Sequence, residues 1–155
     1  MTVLDLVHPE LDLDAAVEPE PFPYAYAHNF GNTRDWPLRS WAQLDHLAGG
    51  LGATRETAFL IVRNTCAPRT AQAFGRAGHC LVELLNGWNV WRARRPGQSV
   101  YPTTVEGSHR LRLDAWTSEL LTAGEATPIM RQWLEHGELA EGLEFREPPG
   151  VDEGE

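Results

Sequence analysis

Pro68-Arg69-Thr70-Ala71-Gln72-Ala73-Phe74-Gly75-Arg76-Ala77-Gly78-His79-Cys80-Leu81-Val82-Glu83-Leu84-Leu85-Asn86-Gly87-Trp88-Asn89-Val90-Trp91-Arg92 is the stretch on which the fold turns. Phe74, Ala77, Leu81, Leu84, Leu85, Trp88 and Trp91 recur every three or four residues along it, and Gln72, Arg76, His79, Glu83 and Asn86 take the other side of a helical projection. That period belongs to an amphipathic helix, and Pro68 suits a first helical position because its missing N–H would be unpaired there anyway. The spacing therefore predicts one long helix over about 68–92. Glycines at 75, 78 and 87 weaken its interior, so either another backbone packs closely there or the helix breaks near 75–78.

Outward from this segment the same logic predicts further helices. Trp41, Leu44, Ala48 and Leu51 give a helix near 37–48, capped by Asp35 or Thr33, opened by Pro37 and ended by Gly49-Gly50. The run Ala58-Phe59-Leu60-Ile61-Val62 is a buried strand or a buried helix, between which periodicity does not choose. Leu113, Trp116 and Leu120 predict a helix near 110–123, and Thr127-Pro128 opens a last one that reaches His136 and closes at Gly137. Tyr24 to Phe30 reads as a short extended element, and 98–106 as a loop or small hairpin. The expected fold is all-α or α-rich: a compact bundle of four to five helices with a small extended element or hairpin.

Charge divides the chain of 155 residues into three parts. Residues 1–23 hold six acids, four prolines and no base, and read as an acidic Pro-rich arm. Residues 135–155 hold eight acids against Arg146 and read as an acidic tail. Between them, residues 24–134 carry twelve Arg and eight acids, so a mildly basic helical domain lies inside a chain whose net charge is −9. All thirteen basic residues are Arg, a skew that fits a GC-rich coding genome; without lysine there is no Schiff-base, P-loop or lysine general-base chemistry. The start of the chain has no basic region followed by an apolar run, and no stretch is long and apolar enough for a membrane span, so the expectation is cytoplasmic, with Cys66 and Cys80 as free thiols.

The segment Leu44 to Ile61 resembles the helix-turn-helix of bacterial transcription regulators, over about residues 44–63. Ala48 stands where that family keeps a small residue in the first helix, and Gly52 where it places a turn glycine. Thr54, Arg55 and Glu56 stand at the opening of the recognition helix. The resemblance implies a small DNA-binding transcriptional regulator, a homodimer on double-stranded DNA, in which Thr54, Arg55, Glu56, Arg63, Arg92, Arg94 and Arg95 contact the duplex. An alternative reading is a non-enzymatic helical protein that binds a protein partner through Phe59 and Leu60. A third is a small-molecule-binding protein or cofactor-free enzyme, with an aromatic pocket drawn from the six Trp and with His79, Glu83 and Arg76 as its polar groups. His79 and Glu83 would share a helix face four residues apart. No metal-ligand spacing or cofactor motif is present, and no metal or cofactor is expected.

Overall fold

The stretch 68–92 is a meander of strands rather than a helix. A computed structural model describes residues 22–28, 35–54, 57–97, 100–107 and 112–148. Within them β4 (Thr70–Arg76) turns at Ala77-Gly78 into β5 (His79–Asn86), which turns at Gly87-Trp88 into β6 (Asn89–Arg94). Phe74 pairs with Leu81, Ala73 with Val82, Ala71 with Leu84, and Leu84 in turn with Trp91. The glycines that weaken a helix here serve the strands. Gly87 has φ +59° in the second turn, a left-handed conformation suited to a two-residue hairpin loop. Gly75 has φ +121°, and a Cβ there would lie 2.8 Å from the His79 carbonyl and from Val105.

This meander is the middle of a seven-stranded antiparallel sheet in the order β2-β1-β3-β4-β5-β6-β9, with β1 Tyr24–Ala27, β2 Trp36–Pro37, β3 Phe59–Asn64 and β9 Glu144–Arg146. The all-α or α-rich expectation is therefore corrected: the described residues form nine strands and two α-helices. A period near 3.5 misleads here because both faces of the central strands are covered. Ala71, Gln72, Ala73, Phe74 and Gly75 are all buried, as are Cys80 through Leu84, so the alternation that marks a half-exposed strand is absent.

One face is covered by helices α1 (Trp41–Gly49) and α2 (Ala123–His136). Leu60, Val62, Ala71, Ala73, Cys80, Val82, Leu84 and Ala93 meet Leu44, Ala48, Ala126, Met130, Trp133 and Leu134 there. The α1 reading stands, but its cap is Ser40, which accepts from the Gln43 N–H, while Pro37 belongs to β2. The α2 helix begins earlier than expected, at a capping box of Thr122 and Glu125, and takes Pro128 inside it; Gly137 closes it as predicted. Arg69, in the β3–β4 turn, donates to the Leu134 and Glu135 carbonyls at the C-terminal end of α2, a favourable place for a cation. Among the described residues no helix is long and apolar enough to cross a membrane.

The other face carries a separate hairpin, β7 (Pro102–Glu106) with β8 (Arg112–Trp116). Its Val105 and Ala115 pack on Phe59, Phe74 and Leu81 in a second, smaller core. The helix expected near 110–123 is thus β8 followed by a 3-10 turn at Thr117–Glu119. Arg146, counted with the acidic tail by composition, lies in β9 and pairs with Arg92 of β6.

Candidate functional site

Gln72, Glu83, Arg92 and Arg146 are successive cross-strand neighbours on β4, β5, β6 and β9, so they form one polar row across the face opposite the helices. Gln72 donates to Glu83 at 2.8 Å, Arg92 donates to the other Glu83 oxygen at 3.0 Å and to the Asp114 carbonyl at 2.7 Å, and Arg92 is only 2% exposed. Charges taken this far from water are stable only with their partners in place.

The remaining partner comes from the 3-10 turn. The β5–β6 register covers only residues 83–86 and 89–92, which leaves the start of β5 free to bridge Leu121 through Cys80. Ser118 accepts from the Arg95 N–H, so residues 118–121 tie the end of β6 to the start of β5. This connection carries Glu119, at 0% exposure, beneath the row. Arg146 grips it with two bonds of 2.7 and 2.8 Å, the Trp116 N–H donates at 2.8 Å, and Arg92 stands 3.5 Å away. Burial alone would raise the Glu119 carboxyl, but these donors and cations outweigh it and hold the pKa below the ordinary range. Arg146 also lies 3.8 Å from the centre of the Trp116 ring, with Arg94 on the same ring at 5.1 Å. Beside them, between the hairpin and β9, opens a cleft of about 690 Å³ lined in part by Pro102, Thr104, Asp114, Trp116 and Arg146.

The helix-turn-helix expectation is corrected by the same geometry. The described residues of the segment 44–63 are α1, a glycine turn and, from Phe59, the strand β3, so among them no second α-helix follows the turn. Thr54 is exposed and bonded to Thr57, while Arg55 and Glu56 lie outside the described residues. Arg63 pairs with Asp35, Arg92 is buried in the polar row, Arg94 pairs with Glu144 and Arg95 with Glu125. The interface reading of Phe59 and Leu60 is corrected as well, since they are 3% and 0% exposed in the two cores.

His79 and Glu83 do not converge. On a strand, four residues span about 13 Å; His79 is exposed at one end of β5 opposite Arg76, and Glu83 is held by Gln72 and Arg92. The six Trp do not gather into one pocket. Trp41 meets Phe22 edge-on and Tyr24 at a tilt, Trp91 meets Trp133 edge-on, and Trp116 lies beneath Arg146. Trp88, at the tip of the β5–β6 hairpin, is fully exposed at 101% of its reference surface. Sequence reading counted Trp116 among the pocket tryptophans but missed Asp114, Glu119 and Arg146. Only Glu119 carries any local signal, an acid set directly before Leu120-Leu121.

A scan against protein-family models finds no match for this chain, and a search of curated proteins finds none.

Proposed function

We propose that the chain is a protein-binding module and that Trp88 is the anchor by which it holds its partner. The observation that carries this reading is the exposure of one tryptophan while Trp36, Trp41, Trp91 and Trp116 are half-buried and Trp133 is buried. A large aromatic side chain in water is unfavourable unless something covers it, and tryptophan is enriched among residues that dominate protein interfaces. Its position adds to the argument. Asn86 and Asn89 pair across a two-residue loop, so the backbone under the indole is fixed before binding and little order is lost on docking.

Val100 and Tyr101, at 40% and 65% exposure, add apolar surface beside the β7–β8 hairpin. The polar row favours binding over catalysis. Glu83 and Glu119 are occupied by arginines, and Glu119 is held ionised, the opposite of what a proton-donating carboxyl near neutral pH requires.

The test is retention of proteins from an extract of the source cells by the immobilised full chain and by Trp88→Ala, with the bound proteins identified by mass spectrometry. A protein held by the parent chain and lost from the variant is the expected result, with binding weakened about 30-fold or more, the size of an interface anchor. Identical retained sets from the two would overturn the reading.

A further inference from the structure

We infer that the cleft between the β7–β8 hairpin and β9 receives a cationic side chain, arginine or lysine, presented by the protein partner proposed above. The inference rests on that partner-binding reading and adds to it the chemistry of the partner.

The cleft has an uncompensated negative charge at one end. Arg92 is taken by Glu83 and Glu119, Arg146 by Glu119, and Arg94 by Glu144, so three arginines are matched by three glutamates. Asp114 is a fourth acid. It is exposed on the cleft wall, and its carboxylate has no ion-pair partner among the described residues. An anion entering here would meet Asp114 and an arginine set already satisfied; a cation would meet a free carboxylate.

The other end is apolar. Pro102 pairs with Trp116 and Thr104 with Asp114, and these two pairs stand on the hairpin face turned away from the Val105 and Ala115 core. Pairs two residues apart on one face are separated by roughly 7 Å. An aromatic–proline surface therefore lies about one alkyl stem away from a carboxylate and a hydroxyl. That arrangement fits a long side chain with an apolar stem and a charged head, as arginine and lysine have. Arg146, stacked under the indole and locked to Glu119, fixes the Trp116 ring. Val100 and Tyr101 adjoin the cleft at Pro102 as an exposed apolar rim.

The experiment follows the Trp116 indole N–H by NMR, assigned through Trp116→Phe, while the full chain is titrated separately with N-acetyl-arginine methylamide, N-acetyl-lysine methylamide, the uncharged N-acetyl-citrulline methylamide and inorganic phosphate. Saturable shifts are expected from the two cationic probes in the millimolar range usual for a single residue. Citrulline should bind about three- to fivefold more weakly, the size of an exposed ion pair. Asp114→Asn should lose the same factor. Glu141→Gln, the same charge change at an exposed site outside the cleft, should lose none. The inference is overturned by equal binding of citrulline, by saturation with phosphate instead, by an unaffected Asp114→Asn variant, or by no saturable shift with either cation. These outcomes are separate from the partner-binding reading: loss of the partner on Trp88→Ala with no cation in the cleft leaves that reading standing. A cation in the cleft of a chain that retains no partner removes the partner and overturns the assignment.

Discussion

The two faces of the central sheet are built from the same strands and held by different physics. Toward the helices, β4, β5 and β6 send Ala71, Ala73, Val82, Leu84 and Ala93, all buried in the core that α1 and α2 share. Toward the hairpin, they send Gln72, Glu83 and Arg92, also buried, into a network closed by Glu119 and Arg146. The first face needs shape and apolar area, and tolerates exchange among side chains of similar volume. The second needs every member present, because removing one strands its neighbours without a partner. Residues adjacent in sequence, Glu83 and Leu84, therefore differ in what a substitution costs and why.

The largest effect should come from Glu119→Ala, which leaves Arg92 and Arg146 facing each other; a loss of about 4 kcal/mol is expected in urea unfolding. If this variant is as stable as the parent, the polar row is a solvated surface and the contrast between the faces collapses. Leu84→Ala tests the apolar face and should cost about 3 kcal/mol through the cavity it leaves. Gln72→Ala should cost about 1–2 kcal/mol by leaving a buried Glu83 oxygen without its donor. A midpoint unchanged by Gln72→Ala would show that water replaces the amide and that the row is wetter than the apolar face by more than its exposure suggests.

Acid separates the faces without mutation. The Glu119 pKa is lower folded than unfolded, so its contribution is fully present above the unfolded value of about 4.3 and is lost as pH falls through the depressed folded value. The melting temperature should therefore drop below about pH 4 in the parent and Leu84→Ala alike. Glu119→Gln should lose part of that drop, and an identical acid limb would place the titration elsewhere. The smallest effect is expected from Trp88→Ala, within about 0.5 kcal/mol of the parent, because an exposed side chain at a hairpin tip supports neither face. A larger loss of stability would make Trp88 a part of the fold rather than a binding anchor.

Local chemistry made several features legible. Gly49-Gly50 ends α1 and Gly137 ends α2 where chain punctuation places them, and Tyr24–Ala27 is extended as its aromatic–small alternation implies. These signals act within one turn or one strand, so neighbouring residues suffice to decide them. Leu84 is in the core under either the helical or the strand reading, because burial follows from apolar character before it follows from secondary structure.

What only the tertiary structure decided is how residues 68–92 are divided, and with it the site. A strand covered on both faces loses its alternation, and its apolar residues then fall as readily on a 3.6-residue period as on a period of two. The choice is made by partners distant in the chain: β3 and β9, the helix α2, and a hairpin that ends at Trp116. Glu119 meets Arg146 across 27 residues and stands beside Arg92, also 27 residues away in sequence. No local spacing encodes such a meeting. The sequence supplied the charges and the tryptophans; the sheet register decided which charges were spent inside and left Asp114 and Trp88 outside.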